Sequence, residues 1–307
     1  MQFPARVHLV EVGPRDGLQN EPSEVPTSDK IRFVDLLSDA GAPTIEVSAF
    51  VSPRWVPQMA DATDVFTGIR RRSGTRYTAL VPNLTGLERA RAAGVTEVAF
   101  FAASSETFSR KNLNQTIDES LASYRDVGAS ARDAGLRVRG YLSTSFGCPY
   151  EGPVLPSRVA ELAGRLIELG AFEVAVSDTI GVATPGQVVE VVEEVARRVP
   201  LPQVALHFHD TRGTALANVL MALQLGVATF DASAGGLGGC PYAPGASGNL
   251  ATEDLVYMLD SLGIESGVSL PKLVDASRFI ESRLGHPLPS RYLQGIKGSG
   301  QWVVDSG

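Results

Sequence analysis

The sequence predicts an α/β protein with a single (β/α)8 barrel (TIM barrel) and an extra helical segment at its carboxyl end. Three observations predict this fold: short β-rich runs alternate with longer helical patterns, the alternation repeats eight times, and no linker interrupts it. Within one domain, 1–307, we expect the barrel core over residues 7–262 and an extension over residues 263–307 that packs on it. A doubly wound sheet is the alternative, but it rarely holds eight such regular units.

The elements follow one another in a regular order along the chain. The predicted strands are Val7–Val12, Thr44–Val47, Arg76–Val81, Val95–Ala102, Val138–Ser143, Phe172–Val176, Val204–Phe208 and Thr229–Ser233. The predicted helices are Asp29–Ala40, Asp61–Arg71, Leu84–Ala93, Ser120–Ala134, Pro156–Leu169, Pro185–Arg198, Ala215–Leu225 and Leu250–Leu262. Gly41 and Gly94 are expected to stop two of these helices, and a loop after the fourth strand is expected to carry Asn112 and Asn114.

Composition excludes several classes of function. A net charge of −7 and an isoelectric point near 5.2 argue against a nucleic-acid partner, which needs a basic surface. The two cysteines, Cys148 and Cys240, form no disulfide framework and favour a reducing compartment. No apolar run reaches the roughly 18 residues of a membrane span, and we expect no signal peptide because the first strand-like run begins at Val7. We expect a cytoplasmic protein with neither a nucleic-acid nor a membrane partner.

The unusual polar residues fall where predicted strands end. They are Arg15 and Asp16 after the first strand, Glu46 in the second, Cys148 after the fifth, Asp178 after the sixth, His207 and His209 at the end of the seventh, and Cys240 and Asn249 after the eighth. In barrels of this class the active site lies at the carboxyl ends of the strands. We therefore expect these side chains to converge on one mouth of the barrel.

A divalent-metal site is the first function that this pattern indicates. His207 and His209 point to the same side of a strand, where two imidazoles can chelate a metal. Asp16 can add a carboxylate and Asn249 a carbonyl oxygen, a mixed set that suits Mg²⁺ or Mn²⁺ better than Zn²⁺. The alternatives are one packed and one solvated histidine, an aspartate that caps a turn, and an asparagine that caps the helix starting at Leu250.

Charge at the same mouth indicates a second function. Arg15 can offer a planar fork of N–H groups to a carbonyl or enolate oxygen, or it can form a salt bridge with Glu46. An inward-facing Glu46 is expected to orient Arg15 rather than to act as a base. Asp178 either supports the metal ligands or caps a loop.

The run Gly235–Asn249 is rich in glycine but lacks the Gly-Lys-Ser/Thr of a phosphate-binding loop. So many glycines favour a mobile lid that carries Cys240 over the barrel mouth. The alternative is a flexible connection with an inert thiol.

Six stretches carry a resemblance to a known family. They are Glu11–Glu21, Phe50–Met59, Phe146–Gly152, Asp178–Gly181, His207–Thr211 and Gly236–Asp254. In these stretches the chain resembles the 3-hydroxy-3-methylglutaryl-CoA (HMG-CoA) lyases, within a wider group of metal-dependent barrel lyases and Claisen-type synthases. The resemblance covers the chain from about residue 7 to residue 262, and its last stretch is the most specific.

The resemblance implies the metal-dependent cleavage of HMG-CoA, an acyl-CoA substrate, to acetyl-CoA and acetoacetate, as in leucine degradation and ketone-body formation. It implies Mg²⁺ or Mn²⁺ as cofactor, and it suggests a homodimer. The metal ligands that it implies are Asp16, His207, His209 and Asn249.

The resemblance also implies catalytic roles. Arg15 would bind the substrate and stabilise the enolate that forms on the thioester oxygen, and Glu46 would position the site. Cys240 or His207 would move protons, and the choice between them stays open. Alternative functions are cleavage of a longer 3-hydroxy-3-alkylglutaryl-CoA such as an isohexenyl one, a Claisen-type synthase or keto-acid aldolase, and a non-enzymatic metal or acyl-CoA binder.

Overall fold

Eight parallel strands close into a barrel in the computed structural model, which describes residues 3–238 and 248–298. Neighbouring strands follow chain order, and the last strand pairs with the first. The strands are β1 (His8–Glu11), β2 (Thr44–Ala49), β3 (Arg76–Leu80), β4 (Glu97–Ala103), β5 (Arg137–Ser143), β6 (Glu173–Asp178), β7 (Val204–Phe208) and β8 (Thr229–Ala232). The predicted barrel is confirmed, with strand ends within three residues of the expected positions.

Helices form the outer layer of the barrel. They are α1 (Thr27–Asp39), α2 (Ala62–Gly68), α3 (Leu84–Ala92), α4 (Glu106–Leu113), α5 (Ile117–Asp133), α6 (Pro156–Glu168), α7 (Pro185–Ala196), α8 (Ala215–Gln224), α9 (Thr252–Ser261), α10 (Leu270–Leu284) and α11 (Arg291–Gly298). Every residue of β2, β6 and β7 is buried, because one strand face packs inside the barrel and the other packs against helices. The apolar core therefore lies mainly between the barrel and its helices.

The segment after β4 differs from the prediction. Residues 106–113 form the helix α4, where the sequence predicted a loop with Asn112 and Asn114. The hydroxyl of Ser105 accepts a hydrogen bond from the backbone N–H of Phe108 (3.2 Å) and so caps the helix. Asn112 therefore lies inside α4, and Asn114 ends it in the left-handed conformation (φ 55°).

The helix after β8 begins two residues later than predicted. It starts at Thr252 with Ala251 as its N-cap, so the alternative role of Asn249 as a helix cap is wrong. Bridges join Asn249 to His209 and Ala251 to Ser233, and these pairings keep the backbone extended up to the helix.

The carboxyl-terminal extension packs on the barrel's helices. The helix α10 lies against α1, and α11 lies against α9. The carboxylate of Asp254 accepts hydrogen bonds from the hydroxyl of Ser290 (2.7 Å) and from the backbone N–H of Tyr292 (2.8 Å), which holds the start of α11. Among the described residues, none of the helices combines the length and apolar character needed to cross a bilayer.

It remains a prediction that the barrel and its carboxyl-terminal extension form one domain. A substitution of Ile280 tests this prediction. This residue of α10 is completely buried, so Ile280→Ala should lower the free energy of unfolding by about 2–5 kcal/mol. Thermal unfolding followed by circular dichroism should show one transition, shifted as a whole. The exposed neighbour Arg278 provides the control, since Arg278→Ala should change stability by about 0.5 kcal/mol or less. An unshifted main transition in Ile280→Ala would mean that the extension unfolds separately.

Candidate active site

A cavity opens at the carboxyl ends of the barrel strands. Its wall includes Arg15, Asp16, Tyr141, His207 and His209, which come from three separate parts of the chain. The sequence predicted this position for Arg15, Asp16, His207 and His209 from the ends of the strands, and it did not single out Tyr141. Four of the predicted residues, Arg15, Asp16, His207 and His209, therefore line one opening.

The histidine pair owes its position to strand β7 and its neighbours. His207 is in register with Ser177 of β6 and with Asp231 of β8. His209 lies just beyond the strand, where it pairs with Asn249 in an isolated bridge. The two imidazole rings lie on the same side with their centres 5.2 Å apart, as the alternation of a strand requires.

Asp16 joins the histidines from a short π-helical turn, Gly13–Gly17, that follows β1. The backbone N–H groups of Asp16 and Gly17 both donate to the carbonyl of Val12 (2.8 and 3.1 Å), which turns the chain tightly at the barrel mouth. One ligand atom from each of Asp16, His207 and His209 lies within 4.8 Å of the others.

Asn249 lies beside the cluster and contacts it through its side-chain amide. Its Nδ2 donates to Asp16 Oδ2 (2.9 Å) and to the carbonyl of Leu237 (3.0 Å), which fixes the orientation of the amide. Within the described residues, Asn249 Oδ1 and His209 Nδ1 are buried and have no hydrogen-bond partner. An unsatisfied buried polar atom costs about 1–3 kcal/mol, and a bound cation would remove that cost. The donor set therefore fits a divalent metal.

The protonation states suit metal binding. Burial, reinforced by the charge of His207, lowers the pKa of His209 to about 4, so its imidazole is neutral near pH 7. Burial alone would raise the pKa of Asp16, but the charges of Arg15, His207 and His209 hold it well below its usual range. Asp16 is therefore a carboxylate, and metal binding needs no deprotonation of either group.

Arg15 lies beside the ligand cluster and is buried. Its Nε donates to Glu46 Oε2 (2.5 Å) and its Nη1 donates to Asp16 Oδ1 (2.7 Å), while the guanidinium lies 5.5 Å from the centre of the Tyr141 ring. The charges of Glu46 and Asp16 outweigh burial and raise the pKa of Arg15, so it stays cationic. The predicted salt bridge with Glu46 is therefore present, and it leaves Arg15 on the cavity wall.

Two other predicted residues have structural contacts of their own. Asp178 accepts hydrogen bonds from the backbone N–H groups of Val182 (2.9 Å) and Ala183 (3.0 Å), and burial raises its pKa to about 6. Of its two predicted roles, the structure shows the loop cap. Cys148 is buried with its Sγ 2.9 Å from the hydroxyl of Ser105.

Sequence reasoning missed the residues that support His207. Asp231 Oδ2 lies 3.2 Å from His207 Nδ1, and Arg139 donates to both oxygens of Asp231 (2.7 and 3.1 Å). Both residues are buried inside the barrel. The signal in the sequence is a charged residue in the middle of an apolar strand, Arg139 in Val138–Ser143 and Asp231 in Thr229–Ser233, whereas the predicted site residues come mainly from strand ends.

Two buried glutamates hold the turn that follows β8. Glu11 accepts hydrogen bonds from the backbone N–H of Ala234 (2.8 Å) and from the hydroxyl of Thr252 (2.7 Å). Glu253 accepts from the backbone N–H of Gly235 (2.8 Å). Burial raises the pKa of Glu11 to about 7 and that of Glu253 to about 8. Cys240 and residues 239–247 of the predicted lid lie outside the described residues.

These raised pKa values predict a pH-dependent stability. A carboxyl whose pKa is higher in the folded than in the unfolded chain destabilises the fold as the pH rises between those two values. For Glu253 this window runs from 4.5 to about 8. We expect thermal stability to fall between about pH 5 and pH 8, and to fall less in Glu253→Gln. The exposed Glu88 gives the control Glu88→Gln, and equal losses in all three proteins would contradict the assignment.

Similar proteins agree with the fold. The HMGL-like family model matches residues 6–280. The rat mitochondrial hydroxymethylglutaryl-CoA lyase is 55% identical over 292 residues, which are 95% of this chain and 90% of the relative. The crystal structure of the Pseudomonas aeruginosa hydroxymethylglutaryl-CoA lyase has a TM-score of 0.95 and 52% identity, over 97% of this chain and 99% of that one.

A fourth match carries ligands. An HMG-CoA lyase from Acinetobacter baumannii, in complex with coenzyme A and 3-methylmalate, has a TM-score of 0.91 and 39% identity, over 99% of this chain and 98% of that one. The family model and these identities extend over almost the whole chain, including the cluster at the barrel mouth. The chain therefore belongs to the HMGL-like family.

Proposed function

We propose that this protein is a divalent-metal-dependent carbon–carbon lyase that cleaves HMG-CoA to acetyl-CoA and acetoacetate, the reaction of leucine degradation and ketone-body formation. One observation carries the proposal: a cluster of metal-ligand type, with both histidines buried, lies directly beside a buried, cationic Arg15 on the wall of one cavity. Relatives of more than half identity that are named for this activity support it. A binding protein would have no need of an arginine placed to stabilise an enolate.

The metal ligands that we propose are Asp16, His207, His209 and Asn249. They supply one carboxylate, two imidazoles and one amide oxygen, a mixed set that favours Mg²⁺ or Mn²⁺. When bound, such a metal supplies a positive charge that lowers the pKa of the substrate's tertiary hydroxyl. Asn249 donates its N–H to Asp16 and thereby aligns two of the four ligands.

The proposed role of Arg15 is to stabilise the leaving enolate. The hydroxyl proton passes to one of the two groups proposed for proton transfer, His207 or Cys240. The electron pair left on the oxygen forms the carbonyl of acetoacetate, the C2–C3 bond breaks, and its electrons move to the thioester oxygen. The contacts of Arg15 with Glu46 and Asp16 use Nε and Nη1, so Nη2 is left to donate to that oxygen. Glu46 then orients Arg15, and it need not act as a base.

Protonation of the enolate carbon completes the formation of acetyl-CoA. The resemblance to HMG-CoA lyases makes Cys240 one candidate proton donor, and His207 is the other candidate because it lines the cavity. The acyl-CoA substrate is supported by the coenzyme A complex of the Acinetobacter relative. A homodimer and a cytoplasmic location stay predictions, which light scattering of the purified protein and cell fractionation would check.

The activity is tested by incubating the purified protein with HMG-CoA and measuring acetoacetate. We expect turnover with Mg²⁺ or Mn²⁺, loss of turnover with excess EDTA, and recovery when the metal is restored, because the substrate hydroxyl is a poor acid without a metal. Activity that is unchanged by excess EDTA would refute the proposed metal site. Turnover only of a longer 3-hydroxy-3-alkylglutaryl-CoA would replace the proposed substrate by the first alternative.

Arg15→Met tests the enolate role. Because the arginine acts mainly on charge that develops during bond cleavage, kcat should fall by about 10²–10³-fold or more, with only a modest change in KM. Steady-state kinetics of acetoacetate formation measure both constants. Arg70→Met is a suitable control, since it removes an arginine–aspartate pair with Asp35 outside the cavity lining and should leave both constants unchanged. Only a mild loss of kcat in Arg15→Met would mean that Arg15 is a structural ion-pair partner and does not stabilise the enolate.

A further inference from the structure

His207 presents its two ring nitrogens to two different acidic groups. Nδ1 lies 3.2 Å from Asp231 Oδ2, in the barrel interior. Nε2 lies 4.0 Å from Asp16 Oδ2, on the side of the proposed metal ligands. Which nitrogen carries the proton therefore decides whether the imidazole can bind a metal at the cavity.

The surroundings of Asp231 settle which nitrogen that is. Arg139 Nη2 donates to Asp231 Oδ1 (2.7 Å) and Arg139 Nη1 donates to Asp231 Oδ2 (3.1 Å). A guanidinium has donors only, so it pairs with a carboxylate that acts as an acceptor at both oxygens. The nitrogen that faces such a carboxylate must be a donor, and Nδ1 of His207 must therefore carry the proton.

Arg139 is itself fixed from three directions. Its Nε donates to Glu173 Oε1 (2.8 Å) and its Nη1 donates to the hydroxyl oxygen of Tyr141 (2.9 Å), in addition to the pair with Asp231. All four side chains are buried, and they come from the strands β5, β6 and β8. The carboxylate of Asp231 therefore cannot turn away from His207 without breaking a paired network in the barrel interior.

We propose that Asp231, held by Arg139, is a positioning residue that fixes His207 as the Nδ1–H tautomer and so directs the Nε2 lone pair to the metal. This inference deepens the proposed function and rests on its metal site. It also bears on which of His207 and Cys240 protonates the enolate carbon, and it favours Cys240. With Nδ1 donating to Asp231 and Nε2 taken by the proposed metal, His207 would have no nitrogen left to carry a substrate proton.

A matched pair of variants tests the positioning role. Asp231→Asn removes the carboxylate that faces His207, whereas Glu173→Gln removes the other carboxylate that Arg139 holds. Glu173 is equally part of the buried network, but it precedes Ser177, the register partner of His207, by four residues, or roughly 13 Å along β6. Any effect of simply weakening the network around Arg139 should appear in both variants.

The first readout is the affinity of the metal-free proteins for Mn²⁺, measured by electron paramagnetic resonance. We expect Asp231→Asn to bind Mn²⁺ about 10–100-fold more weakly than the wild type, because loss of a carboxylate behind a ligating histidine has effects of that size. Glu173→Gln should stay close to the wild type. Equal affinity of Asp231→Asn and the wild type, or equal losses in the two variants, would overturn the proposal.

The second readout is made on the wild type and so holds even if Asp231→Asn does not fold. The chain has four histidines, so ¹⁵N-histidine spectra of the metal-free wild type can resolve His207, assigned by comparison with His207→Asn. Burial lowers the pKa of His207, but its contacts with carboxylates, chiefly Asp231, together have the larger, opposite effect, so the pKa lies above its usual value of about 6.5. The spectra are therefore recorded near pH 9. We expect the Nδ1–H tautomer, and the Nε2–H tautomer would refute the proposal.

Neither readout uses HMG-CoA. If the lyase assay fails while both readouts give the expected results, the proposed function is wrong and the role of Asp231 stands. If the lyase assay succeeds while His207 is the Nε2–H tautomer, the role of Asp231 is wrong and the proposed function stands.

Discussion

Two buried arginines hold the acidic groups of this barrel in place. Arg15 lies between Glu46 and Asp16 at the mouth, and Arg139 lies between Glu173 and Asp231 in the interior. An unpaired charge at either position would cost several kcal/mol, because the barrel excludes most of the water that would otherwise solvate it. Each arginine therefore fixes two carboxylates at once, and the metal-ligand cluster depends on both pairs.

The two arginines and their carboxylates have different roles in the site. Asp16 touches Arg15 and Asn249, so one carboxylate couples the arginine to the ligand cluster. Asp231 contacts the same cluster from the barrel interior, through its hydrogen bond with His207. The proposed metal ligands Asp16, His207 and His209 and the side chain of Arg15 thus line the same cavity. A single small substrate could therefore contact both a bound metal and Arg15.

Much of this arrangement could be predicted from the sequence, because it depends on local pattern. Alternation along β7 puts His207 and His209 on one side, and the barrel brings Arg15 and Asp16 to the same mouth. The rest depends on contacts between distant segments. The register between β7 and β8 pairs His207 with Asp231, and a bridge to His209 places Asn249. No local pattern encodes either pairing.

The central claim is that Asp16, His207, His209 and Asn249 together bind one divalent metal. Anomalous diffraction from crystals grown with Mn²⁺ tests this claim most directly, because the peak identifies both the element and its neighbours. We expect a single strong peak whose protein neighbours are the carboxylate of Asp16, the amide oxygen of Asn249 and one nitrogen of each histidine. A peak bound by other residues, or no peak at the barrel mouth, would contradict the claim.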